Sequence, residues 1–290
     1  MSPSERACAL LTRWVVERVP AEAAAWFHTQ LAAVASAVEE KPLYLALGWA
    51  PRRLGKADLR LSPAELAEAA ALRPGFDPID WSVDQAARVA LVLASFDGDP
   101  QRFKQRLETL FRTADIGETI AFYRGLPLYP GPELLVARAR EGARSAMRPV
   151  FEAVARRNPY PKERFDEHAW NHLVLKALFI GTTLDPIQGL EERANPRLAR
   201  MLCDYAHERW AAGRPVSPEL WRCVGPHADD GALEDLARVL DTGSGEERKA
   251  AALALASCPR PEAKALLARY PELEGPIARG EIRWAAFAQG

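Results

Sequence analysis

The chain has 290 residues and a mass of 32.0 kDa, with 38 basic and 39 acidic side chains for a net charge of −1. Ala and Leu number 87 together, against 30 for Ile, Val and Thr. That ratio disfavours a sheet-dominated fold, and the balanced charge removes the basic excess of a nucleic-acid binder. At 48% apolar the chain is not disordered, and its longest apolar runs fall far short of the about 20 residues that a membrane span needs. The first residues lack a basic region followed by an apolar core, so the expected address is the cytoplasm.

Start and stop signals give helices near 4–19, 21–38, 63–72, 82–96, 100–113, 132–141, 143–157, 167–180, 196–212, 230–240, 246–257 and 261–269. Ser2-Pro3-Ser4-Glu5 and Ser62-Pro63-Ala64-Glu65 read as capping boxes. Asn195-Pro196 and Ser217-Pro218 repeat the cap-plus-proline pattern, and Gly98, Gly181 and Gly213 mark stops. Residues 39–61, interrupted by Pro42, Pro51 and Gly55, read as a short helix and a long loop. In the last sixty residues, Leu233–Leu240, a polar turn and the Ala-rich Glu246–Ala256 resemble one HEAT-type helical unit. The expected fold is all-α, a HEAT-like helical repeat or α-solenoid with a more irregular N-terminal part. Three regions are expected: 1–115 helical, 116–225 a core, and 226–290 C-terminal hairpins, together one continuous domain.

Two helices concentrate polar chemistry. On the first, Trp170, Leu173, Val174, Ala177 and Leu178 form an apolar face, while His168, His172 and Lys176 recur every fourth residue. A His-x3-His pair can share one metal, but nothing acidic follows it, so no metal is expected, with His168 and His172 the only weak candidates. On the second helix Arg200, Asp204, His207 and Glu208 group on one side. The short intervening loop suggests that the two stripes meet in a buried, ion-paired cluster. The Cys residues at 8, 203, 223 and 258 show no CxxC spacing and read as buried thiols. No GxGxxG, GxxxxGK[ST] or GxSxG occurs, so no cofactor is expected.

Several strings in order carry a family likeness. They are Phe122-Tyr123-Arg124-Gly125-Leu126-Pro127-Leu128, Asn158-Pro159-Tyr160-Pro161, Phe165-Asp166, Ala169-Trp170-Asn171, Leu175-Lys176-Ala177-Leu178-Phe179, Gly189-Leu190, Arg193-Ala194-Asn195-Pro196 and Asp204 through Arg214. Together they resemble the EboA family over about residues 118–225. The resemblance implies membership of a bacterial and algal gene cluster that also encodes a UbiA-like prenyltransferase, TIM-barrel proteins and a dehydroquinate-synthase-like enzyme. That cluster is linked to secondary-metabolite processing and export. The resemblance brings no catalytic activity. It carries over Asn171, Lys176, Asp204, His207, Glu208 and Arg209 as positions only, and the family pattern has no fixed His at 172.

The reading that follows is a non-catalytic scaffold or binding protein for a pathway enzyme or a polar or lipid-linked intermediate. It is expected to work in the cytoplasm, peripheral to the inner membrane through a partner. Ligand contacts are expected from Arg124, Asn171, Lys176, Arg193, Asp204, His207 and Arg209. The competing reading is an enzyme whose site lies between helices 167–180 and 196–212. There His207 or His168 would be the acid/base, Asp204 or Glu208 would orient it, and Lys176 would stabilise negative charge.

Overall fold

A computed structural model describes residues 1–289. Their secondary structure is helical, with one isolated antiparallel bridge, Asp58 to Ser82, and no strand. The α-helices are α1 (Pro3–Val16), α2 (Ala21–Ser36), α3 (Lys41–Leu54), α4 (Pro63–Leu72), α5 (Val83–Ala94), α6 (Pro100–Thr113), α7 (Ile116–Arg124), α8 (Val136–Arg144), α9 (Arg148–Ala155), α10 (Tyr160–Arg164), α11 (Glu167–Phe179), α12 (Pro196–Ala211), α13 (Asp230–Thr242), α14 (Gly245–Ser257), α15 (Pro261–Leu267) and α16 (Pro271–Ala278). Short 3-10 turns at Leu126–Leu128, Pro132–Leu135, Pro218–Arg222, Gly225–His227 and Trp284–Gln289 join some of them. The fold is all-α, and no described helix is long and apolar enough to cross a membrane.

The local signals work as written. Ser2 and Ser62 close reciprocal capping boxes with Glu5 and Glu65, and Asp115 and Ser244 do the same with Glu118 and Glu247. Gly98, Gly181 and Gly213 take φ values of 95°, 70° and 63°, the left-handed region that a side chain disfavours. Differences arise at prolines. The helix expected over 143–157 starts at Arg148, because Pro149 is tolerated in a first turn and not inside. Residues 132–135 form a 3-10 turn ahead of α8. Ser217-Pro218 opens a 3-10 turn with no side-chain cap. The segment 39–61 holds a full 14-residue helix, α3, with Pro51 inside it.

The chain divides into two compact units, 1–165 and 166–290, a division that falls inside the 116–225 segment. In the first unit α5 is the hub. It is buried from Val83 to Leu93 apart from Gln85, and α1, α2, α3 and α7 pack around it. A helix that is apolar on every side needs such a sheath. Two charged residues, Asp84 and Arg88, nevertheless lie on it and pair with each other at 3.3 Å. In the second unit α14 is the hub, buried from Ala250 to Leu255 and flanked by α13, α15, α16 and the turns at 218–222 and 225–227. Small side chains allow close approach there. A Cβ on Gly225 would stand 2.3 Å from the Ala254 carbonyl oxygen.

Candidate functional site

α11 is capped by Asp166, whose carboxylate accepts the Ala169 amide at 2.8 Å. Its apolar face is buried as the spacing requires, and Asn171 is buried with it. The Asn171 and Asn195 amides bond reciprocally: Asn195 Nδ2 donates to Asn171 Oδ1 at 2.8 Å, and Asn171 Nδ2 donates to Asn195 Oδ1 at 3.2 Å. Asn195 Oδ1 also caps α12 by accepting the Leu198 amide at 2.8 Å. Arg193 lies over the buried Trp170 ring, 4.9 Å from its centroid. These motif residues therefore fix the start of α12 against α11.

The two polar stripes do not merge into a buried cluster. His168, His172, Asp204, His207 and Glu208 are all solvent-exposed. His168 and His172 meet edge to face at 4.3 Å, and burial, His168 and then Arg197 depress the imidazolium of His172. Among the described residues no three or more His, Cys, Asp or Glu side chains gather as a metal cage. Burial also pulls the Lys176 ammonium below its usual range. His207 turns away from α11: its Nε2 meets both carboxylate oxygens of Asp235, on α13, at 2.8 Å. The expected contact between the α11 stripe and His207 is replaced by this bond to α13. Helix spacing grouped Asp204 and His207 correctly, but the helix that lies over His207 is α13.

A cavity of about 260 Å³ opens there, lined by Ala199, Arg200, Cys203, Asp204 and His207 of α12, His227 of the 225–227 turn, and Asp229, Gly231, Ala232 and Asp235 at the start of α13. His207 is 54% exposed, whereas Asp235 is 12% exposed, so the carboxylate forms the wall and the ring its outer edge. His227 Nε2 is 2.9 Å from the Ala194 carbonyl, which holds the turn in place. Burial raises the Cys203 thiol to about 12, and Asp235, Asp229 and Asp204 add to that rise by repelling a thiolate. Both causes disfavour a thiolate at this position. Behind it a ladder of rings runs from His207 to Trp210 (5.7 Å) and Trp221 (5.9 Å), with Arg238 4.4 Å over Trp210.

The other expected ligand residues are engaged in holding the fold. Arg124 donates to the Asp80 carbonyl at 2.8 Å and to Gln85 at 2.6 Å, and pairs with the Asp80 carboxylate. Arg209 donates to the Pro215 carbonyl at 3.0 Å, closing the turn after α12. Sequence reasoning missed Asp229 and Asp235, which reach the pocket across a connection of two 3-10 turns. It also missed Glu219, a buried carboxyl that accepts the Leu184 and Asp185 amides at 2.9 to 3.1 Å and so pins the loop before α12. Burial pushes that carboxyl above its usual range.

The described residues thus form an all-helical chain with a small pocket lined by three carboxylates, one of them bonded to an imidazole. The family model described as metabolite traffic protein EboA matches residues 7–225, and the chain belongs to the EboA family. The match takes in the N-terminal helices as well as the motif region. It stops short of His227, Asp229 and Asp235, so one wall of the pocket lies beyond it. No curated protein and no solved structure matches the chain.

Proposed function

We propose that this protein is a non-catalytic binding component of a metabolite-traffic pathway. It holds a small ligand bearing a protonated amine or a comparable cationic donor in the α12–α13 pocket and presents it to a pathway enzyme, with stacked helix pairs of HEAT type as the scaffold. The carrying observation is the pocket's charge: Asp204, Asp229 and Asp235 surround it, with Arg200 the single basic side chain permanently charged at its rim. A cation there gains charge-assisted hydrogen bonds to carboxylates. The wall residue Asp235 is already ordered by His207, which reduces the ordering cost of binding. Partners are sought among the UbiA-like prenyltransferase and TIM-barrel proteins that the family's gene cluster encodes. The cytoplasmic face of the inner membrane is the corresponding location.

Native mass spectrometry of freshly purified protein, followed by calorimetry against a panel of small amines and of their N-acetylated counterparts, tests this. Amines should bind and their neutral counterparts should not. Asp235→Asn should weaken amine binding roughly tenfold or more, the loss of one charge-assisted contact. Equal binding of both sets, or preference for an anion, would overturn the reading.

A second reading rests on one observation, the bond between Asp235 and His207 Nε2. A carboxylate that orients an imidazole is the arrangement of a general acid/base pair. It is distinguished by turnover of the bound ligand that disappears in His207→Gln while binding persists.

A further inference from the structure

The outer face of α3 carries a surface unrelated to the pocket. Val38, Leu45 and Trp49 are large apolar side chains with 101%, 52% and 45% of their surface exposed. Leu45 and Trp49 stand one turn apart, and Gly48 between them opens on free space. Lys41, Arg52 and Arg53 frame this pair on the same face. Lys41 lies one turn before Leu45, Arg52 and Arg53 follow Trp49, and Lys56 lies just past the helix end. The Arg52 and Arg53 guanidinium groups sit 5.4 and 5.7 Å from the Trp49 ring centroid. None of these four cations has an ion pair with a carboxylate among the described residues. The neighbouring Glu40 is engaged by Arg106 and by the Tyr44 hydroxyl. Residues 38–56 hold four basic and two acidic side chains, a local net of +2 in a chain of −1.

This pattern selects its occupant. A protein partner covering Leu45 and Trp49 would have to desolvate the flanking cations and supply a carboxylate to each. A bilayer rich in anionic lipids supplies phosphates around the whole rim without burying the charges. Trp favours the headgroup level of a membrane, and the long basic side chains extend along it toward the phosphates. We propose that α3 is a direct docking surface for an anionic lipid bilayer, with Leu45 and Trp49 seated among the headgroups and Lys41, Arg52 and Arg53 on the lipid phosphates.

Co-sedimentation of the full chain with vesicles tests it, using phosphatidylglycerol and phosphatidylcholine in equal parts against phosphatidylcholine alone. The protein should sediment with the mixed vesicles and bind the neutral ones roughly tenfold more weakly or less, with the difference shrinking as salt rises. The double variants Arg52→Glu/Arg53→Glu and Leu45→Ser/Trp49→Ser should each lose roughly tenfold in vesicle binding. Their circular dichroism and melting should match the wild type, since all four side chains are exposed. Equal binding to both vesicle types, wild-type binding by either variant, or no vesicle binding at all would overturn the proposal. The last result together with capture of another chain through Trp49 would mark a protein interface instead.

Discussion

Arg88 donates its Nε–H to the carbonyl oxygen of Leu47 at 3.3 Å. Leu47 is four residues before Pro51, so its carbonyl is the acceptor that a proline inside α3 leaves without an intrahelical donor. The hub helix α5 thus repairs a gap in the helix packed against it, and it does so with a buried charge that Asp84 balances. Arg88→Met should cost about 3–5 kcal/mol in urea denaturation, because it strands a buried carboxylate. Adding Pro51→Ala should recover about 1 kcal/mol of that loss, since the restored amide at position 51 can serve Leu47. Pro51→Ala in the wild-type background should recover nothing comparable. Equal gains in both backgrounds would show that Arg88 does not serve that carbonyl.

The Asn171–Asn195 pair makes a second stability prediction. Asn195→Ala removes the cap of α12 and leaves the buried amide of Asn171 without its reciprocal partner. The two losses together should lower stability by about 2–3 kcal/mol. Asn195→Ser keeps a capping oxygen and should recover the smaller share, about 1 kcal/mol. Chemical denaturation of the three proteins measures both numbers. If the Ala and Ser variants are equally stable, the cap contributes nothing.

The Pro51 gap shows what could be read from the sequence and what could not. Capping boxes at Ser2 and Ser62, the Asn195 cap and the glycine stops act within a few residues, and local pattern finds them. The expected short helix in 39–61 proves longer, and the carbonyl that its interior proline leaves over is met by Arg88, 41 residues downstream. The site divides the same way. Periodicity put Asp204 and His207 on one side of α12, and the Asn171 and Asn195 motifs marked the α11–α12 junction. Spacing along a helix does not say which neighbour covers that side, so Asp235 took the place that had been assigned to Lys176 and His172. Asp229 caps α13 locally, but its position on a pocket wall depends on the path of two 3-10 turns.

Glu65 supplies a pH prediction. Burial opposes its ionisation, but the Ser62 amide, Arg18 and the Ser62 hydroxyl outweigh burial and bring its carboxyl down to about 2. The ordinary value is 4.5, so between these limits the unfolded chain binds more protons than the folded one. The contribution of Glu65 is fully present above pH 4.5 and is lost as the pH falls toward 2. Melting curves across that interval should show Glu65→Gln losing less stability on acidification than the wild type, by on the order of 3 kcal/mol over the full window. Parallel acid limbs for the two proteins would contradict the assignment.

The pocket's negative field can be read chemically through Cys203. Its thiol is raised to about 12 by burial first and then by Asp235, Asp229 and Asp204. The thiolate is the species that reacts with alkylating agents, and at pH 8 a group with that value is ionised about one part in ten thousand. Iodoacetamide should therefore label Cys203 at least roughly 100-fold more slowly than it labels the same residue in the denatured chain. The rate is resolved by peptide mass spectrometry. The double variant Asp229→Asn/Asp235→Asn should speed labelling several-fold and no more, because burial is the larger cause. An amine bound between the carboxylates would cancel part of the same field, but it would also cover the thiol. Slower labelling with a saturating amine in the wild type, and no such change in the double variant, would place the ligand in this pocket. Unchanged rates in the wild type would put the ligand elsewhere and count against the binding function assigned to these residues.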